Sequence, residues 1–557
     1  QVMGAAAVAY VSNENAALID KTGGVTSAGA LDVNARAVTV SELRADGSLY
    51  KTPPIVPEIP GTTPEPEPNN AVGVGIAVGI TNHENSAKIL HGVISARDLN
   101  VEANTRRITS SVMSKSGHIP KDADFGLGGA VTVHVLICRN DSLIASAPTY
   151  ALPTGGKVSA VSTGAGYFTT VADASGKRVT PGLSFGGYEI PFKPIVGSPE
   201  GSVGIGAGIA VAVTGVDFTA KIEDGTRFGT ATLESATVRA AFAGTETVHA
   251  AAGADGGKSI VPVLALTVSG VCVESYLGTS TRVIKTSGDV SVTASNKIER
   301  TIGADASAAG GSVGVGAAFG VSILNDSAEA TLKRSVNADN VFVEASSISR
   351  LKTNVKASAN GVTPATSPTA GQTTPSGTKQ EDYDKMVKDG DYPLDPNGDD
   401  MRSLFDEGQA DKMADKNTQT ASNMANSAGT KNVNATAMSG MSANRPKAET
   451  SEGSIQVAAC LALNIMKNRS QATIGDVLDV TAAREVRVRS VGDTDAVIAA
   501  NAKATNSTTG VGVAVSINFV RYENIARIGT SRITGAKLLV EADIVEAENK
   551  KSVEKLI

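Results

Sequence analysis

Five histidines are the only imidazoles in the chain: His83, His91, His118, His134 and His249. None forms H-x-x-x-H, so the paired-imidazole geometry of a helical zinc site is missing. Glu84 follows His83 in what reads as a turn between strands, where a solvated side chain is the expectation. Gly73–Gly79 and Gly314–Gly320 carry G-x-G-x-x-x-G spacing. A dinucleotide fingerprint needs a strand, a tight turn and a helix N-terminus to hold pyrophosphate, whereas these glycines lie inside alternating strands. Gly182-Leu-Ser184-Phe-Gly186 matches G-x-S-x-G. Its flanks, Pro181 and Tyr188-Glu-Ile-Pro191, provide no helix for a nucleophile elbow.

Carboxylates give two further possibilities. Paired acids on adjacent coils of a β-helix would serve glycan cleavage. The acids that recur here, Glu102, Glu344 and Glu541, sit in a repeated Val-Glu-Ala and read as a repeat feature. Asp395, Asn397, Asp399 and Asp406 occupy positions 1, 3, 5 and 12 of a calcium-type loop. Its sixth position is Asp400 instead of glycine and its last is Asp instead of Glu, so a solvated acidic loop is the expectation. No residue is therefore assigned a catalytic, cofactor-binding or metal-ligating role, and no cofactor is expected.

Cys138, Cys272 and Cys460 are too few and too scattered for a disulfide framework. On strand alternation each falls opposite its aliphatic neighbours, the place of a small half-buried residue. Sequons at Asn140, Asn325, Asn434, Asn468 and Asn506 are expected by chance in so Asn/Ser/Thr-rich a chain.

The elements that would hold these residues are repetitive. An apolar anchor recurs at Ile19, Ile89, Ile144, Ile222, Leu277, Leu332, Ile474 and Ile528, with gaps of 70, 55, 78, 55, 55, 142 and 54. The long gaps contain a Pro/Glu spacer (51–70), a Pro/Gly stretch (181–200) and a low-complexity segment (362–449). Eight units of about 55 residues follow: unit 1 in 1–50, units 2–6 in 71–361, and units 7–8 in 450–557. Each reads as three strands and a small-residue tail. The first alternates strictly, as in Val511, Val513, Val515, Ile517 and Phe519 against Gly512, Ala514, Ser516 and Asn518. The second is short, and the third has the form Leu-x-Val-Glu-Ala. Gly-rich openings alternate with bulkier ones such as Val261-Pro-Val-Leu-Ala-Leu266, giving a larger period near 110.

The expectation is an all-β, elongated parallel β-solenoid (β-helix) of about eight ~55-residue units with loop insertions, roughly two coils per unit. Stacking would bury the Val/Ile face. The Gly/Ala/Ser face would either meet a second sheet or neighbouring solenoid closely or lie in solvent. The 362–449 insertion, which holds six of the nine Met, reads as partly helical or disordered.

Composition agrees. Of 557 residues, 41% are hydrophobic but only 4% aromatic, with no Trp and 58 Gly, so the interior must be thin layers of small aliphatics. Net charge is −6, and residues 379–416, with 12 acids against 6 bases, account for all of it. The rest is balanced without a basic stripe, which argues against nucleic acid. Residues 306–324 are uncharged but alternate, the pattern of a strand and not of a membrane helix. No export signal is visible in what reads as a fragment of a longer protein.

The unit G-V-G-V-A-V-x-I-N … N-x-A-x-A-x-I … L-x-V-E-A, in residues 71–103, 201–236, 313–345 and 510–542, resembles the repeats of very large bacterial surface proteins. The nearest resemblance is to the leukotoxin-type filamentous adhesin family, with filamentous haemagglutinin-like exoproteins as wider relatives. Units 3 and 5 depart from the pattern. The resemblance implies export across the bacterial envelope, a long solenoid shaft at the cell surface, and contact with a host cell, a glycan or other surface proteins. Three readings follow: a structural or adhesive shaft segment, a self-assembling extracellular filament or matrix protein joined laterally through Gly/Ala faces, and a glycan-active β-helix enzyme.

Overall fold

A computed structural model describes residues 2–20, 23–48, 70–117, 125–175, 203–360, 455–504 and 509–544. These form twenty-one strands and no helix. The first ten are β1 (Val2–Ile19), β2 (Gly24–Thr26), β3 (Ala30–Asp46), β4 (Asn70–Ile89), β5 (Val93–Ser95), β6 (Asp98–Lys115), β7 (Phe125–Ile144), β8 (Thr149–Ala151), β9 (Lys157–Ala174) and β10 (Val203–Ile222). Next come β11 (Ser235–Leu277), β12 (Ile284–Lys285), β13 (Val290–Leu332), β14 (Val336–Ala338), β15 (Val341–Asn360) and β16 (Ile455–Ile474). The last are β17 (Asp479–Ala482), β18 (Glu485–Ala504), β19 (Thr509–Ile528), β20 (Arg532–Thr534) and β21 (Lys537–Ile544).

The architecture is a parallel β-solenoid of eight coils. Each coil has a long outgoing strand (A), a short corner segment and a long return strand (B). The A strands are β1, β4, β7, β10, the second halves of β11 and β13, β16 and β19. The B strands are β3, β6, β9, the first halves of β11 and β13, β15, β18 and β21. In β11 and β13 one continuous strand passes from B to the next A. The short strands stack separately, β2-β5-β8 and β12-β14-β17-β20.

The eight sequence anchors stack as one column. Ile19 pairs with Ile89, Ile89 with Ile144, Ile144 with Ile222, and so on through Leu277, Leu332 and Ile474 to Ile528. One 55-residue unit is thus one coil, not two. The first two strands expected from the sequence are a single 20-residue A strand, which lengthens the coil. Pairing between β10 and β11 lapses around Pro262, which has no N–H to give to the ladder.

The interior is a wedge, and side-chain size follows its width. At the corner with the short strands the space is wide, filled by Ile89, Ile94, Leu99, Ile144, Ile222, Val290 and their neighbours, all buried. Toward the opposite corner the A and B strands converge, and the filling becomes Ala130, Ala172, Ala210, Ala250, Ala304 and Ala318. A Cβ on Gly75 would lie 2.2 Å from the Lys115 carbonyl oxygen, and one on Gly208 2.6 Å from that of Ala251. Only a missing side chain permits that approach. The G-x-G-x-x-x-G runs are therefore spacers between two facing strands.

This corrects the expected polarity. The small face of each A strand is the buried one, so the second sheet it meets is the solenoid's own B ladder. The Val/Ile face points outward: Ile76, Ile209, Val213, Phe319 and Ile323 are 36–41% exposed, whereas Ala77, Ala210, Ala212 and Ala318 on the other parity are buried.

The segments 49–69, 118–124, 176–202, 361–454 and 505–508 each connect a B strand to the next A strand. All five leave and rejoin the solenoid at its narrow corner.

Candidate interaction surface

Between the wide and narrow zones the interior carries a polar stripe that sequence reasoning missed. Asn15 donates to Asn85 Oδ1 (2.7 Å) and Asn85 to Asn140 Oδ1 (2.7 Å), one amide per coil at the 4.8 Å rung spacing. His83, expected in a solvated turn, is wholly buried in mid-strand. Its Nδ1 is 2.8 Å from Thr39 Oγ1 and its Nε2 is 3.0 Å from Thr105 Oγ1. Thr105 spends its proton on Asn140 Oδ1 (2.9 Å), so it accepts from His83 Nε2–H, and Nδ1 accepts from Thr39. Burial pushes the His83 pKa down to about 4, so the ring is neutral. His134 repeats the arrangement with Ser110 (2.8 Å) and Thr170 (3.0 Å), and burial likewise lowers its pKa to about 4.

Coils 4 to 7 add buried charge. Arg300 is fully buried. It donates to Glu246 Oε2 (3.0 Å), to both oxygens of Asp326 (2.7 and 2.9 Å) and to Ser269. Glu246 also accepts from Thr214 and Thr267, each at 3.0 Å. Arg350, equally buried, donates to Asp493 (2.7 Å) and lies 3.4 Å from Asp495. Burial, with Asp493 beside it, pushes the Asp495 pKa up to about 6. Each arginine pairs with two carboxylates of neighbouring coils, so the chemistry of these groups is cohesion between coils. Arg334 does the same at the wide corner, donating to the carbonyls of Gly278 (2.5 Å) and Thr226 (3.2 Å).

The remaining residues weighed for chemistry are scattered. His91 is exposed beside Asp20 (3.0 Å), and His249 lies 3.1 Å from Asp305. Cys138 and Cys460 are buried, while Cys272 is exposed because its neighbours Val271 and Val273 point inward. Asn140 and Asn468 are buried and hydrogen-bonded inside the solenoid. No group of three or more metal-ligating side chains occurs among the described residues. His118, Ser184, the 379–416 acidic loop, Asn434 and Asn506 lie outside the described residues. A cavity of about 650 Å³ at the wide corner is lined by Arg227, Lys333, Arg527 and Asp476. Asp476 is already engaged by the Thr530 N–H (2.9 Å).

The outer surface is two-faced. The B ladder is polar: Arg487 meets Glu344 (3.3 Å), and Arg489 meets Glu541 (3.2 Å) and Asp543 (3.0 Å). Glu344 and Glu541 of the recurring Val-Glu-Ala thus join neighbouring coils, while Val101, Ala103, Val343 and Ala345 fill the core. The A ladder is aliphatic. Its outward positions in coils 4, 5 and 6 include Ile209, Val213, Ile260, Val268, Phe319 and Ile323, all 36–46% exposed despite neighbours on both sides. Charge begins farther along the strands, at Lys467 and Arg521 and, one outward position on, at Glu84, Arg139, Asp217 and Arg469, which share one column. The result is an apolar field with a charged margin.

No family model, curated protein or solved structure matches the chain. No helix among the described residues is long and apolar enough to cross a membrane.

Proposed function

We propose that the chain is a non-enzymatic structural or adhesive shaft segment of a large secreted or cell-surface bacterial protein. The observation that carries this reading is the in-register stacking of all eight coils. Every coil shields the next one's aliphatic column, and the backbone ladders follow chain order with only local lapses at Pro262 and at a few bulges. Such an object transmits load along its axis. The points at which the chain leaves a B strand and returns as the next A strand all lie at one corner, and contacts with a host cell or glycan would be made by what the chain carries there. The resemblance of the repeat to filamentous adhesins points the same way.

Electron microscopy of the purified chain tests it. Eight rungs at 4.8 Å give a body roughly 40 Å along the axis per chain, and 20-residue strands at about 3.3 Å per residue make it roughly 65 Å across. Particles that lack these dimensions would overturn the reading, as would release of reducing ends from a polysaccharide panel, the mark of the glycan-active alternative. The matrix alternative gains from one observation, the aliphatic A face. Its expected route through Gly/Ala faces is closed, because those faces are inside.

A further inference from the structure

We propose that the aliphatic face of the A ladder is a self-association surface, on which a second copy of this chain packs sheet against sheet. The inference rests on the shaft reading and names the partner of its exposed face.

Size is the first argument. Eight strands at about 4.8 Å by five outward positions along each strand make a field of roughly 1,000 Å². The largest apolar patch on an ordinary monomer is about 300–600 Å², and a stable complex needs roughly 800 Å² per partner. Composition is the second. Val, Ile, Leu and Phe fill the centre and charges stand at its margin, the layout of an apolar interface core with a polar rim. Shape is the third. A parallel ladder presents side chains on a fixed two-dimensional grid. Its best geometric match is another ladder with the same rung spacing, and such faces pack about 10 Å apart in sandwiches. An unrelated globular partner lacks that repeat. The B face, laced with ion pairs, offers no comparable surface, so association by this route stops at a two-layered pair.

The test is sedimentation velocity and electron microscopy on the full chain, comparing wild type with the double variant Val213→Glu, Ile323→Lys. Both side chains point outward, so circular dichroism and melting should be unchanged. Wild type should sediment as a dimer and appear as two slabs stacked face to face. The variant should associate on the order of a hundredfold more weakly, as expected when two charges are forced into an apolar contact. If it fails to fold, Val213→Thr with Ile323→Thr replaces it and should weaken pairing about tenfold. Single monomeric slabs from wild type would overturn the pairing and leave the shaft intact. Strings joined end to end and unaffected by the face variants would also overturn it, as would monomers that float with phosphatidylcholine vesicles. A body that lacks the outline of roughly 40 by 65 Å would instead overturn the shaft reading.

Discussion

His83 carries a testable pH dependence. In the unfolded chain an imidazole titrates near 6.5, and in the solenoid burial lowers this to about 4. The unfolded state therefore binds the proton more readily between those values. The stability contributed by the neutral ring is complete above pH 6.5 and is lost as pH falls toward 4. Thermal melts across that window should show a steep fall for wild type and a shallower one for His83→Gln. Equal slopes would refute the assignment. Asp495 has the opposite sign. Its folded pKa is raised to about 6, so its protonated form stabilises the fold at low pH, and that contribution disappears as pH rises through 6. Asp495→Asn should flatten this loss. Arg300 is a sharper case. Replacing it with Met leaves Glu246 and Asp326 buried without a cation, at a cost of about 3–5 kcal/mol, read as a lower denaturation midpoint. A midpoint within error of wild type would show that water reaches the pair.

At the level of the strand, glycine on the inner face decides whether the two ladders can close. Gly75→Val would drive a side chain into the Lys115 backbone, and overpacking of this kind costs about 1–3 kcal/mol or more. Gly215→Val, on the outward face with open space around it, should melt like wild type. Equal behaviour of the two would remove the wedge as the reason for the glycines. These strands also show what the sequence made legible. The 55-residue anchor spacing set the register, because a ladder of identical period can stack in only one alignment without exposing Ile89 or its equivalents. Which face turned inward was harder, since alternation distinguishes two faces without ranking them. The signal was nevertheless present. Ile89 shares parity with Gly75 and Gly79, whereas Val74 and Val78 share it with Glu84 and Lys88. An inward anchor therefore requires inward glycines, and aliphatics aligned with charges must face out. The polar stripe was not legible, because its partners come from A and B strands far apart in sequence, as His83 and Thr39 do.

For the whole molecule, the arrangement of the coils implies that the segment 361–454 is not needed to align what flanks it. Leu332 pairs with Ile474, and Val341 with Val486, by the same side-chain columns that align coils joined directly. At the equivalent corner between coils 4 and 5, β11 passes from B to A with only a bulge at Gly256/Lys258. The corner itself therefore tolerates a direct connection. Replacing 361–454 with a four-residue Gly/Ser turn should preserve a single cooperative melt and the strand spectrum. It should raise stability by about 3 kcal/mol, since a loop shortened some twenty-fold costs less entropy to close. Two separate transitions, with coils 7 and 8 melting apart from the rest, would show that the long connection contributes to the junction. The eight coils would then be two stacked bodies instead of one continuous shaft, and load along the axis would part at the β13–β16 and β15–β18 ladders first.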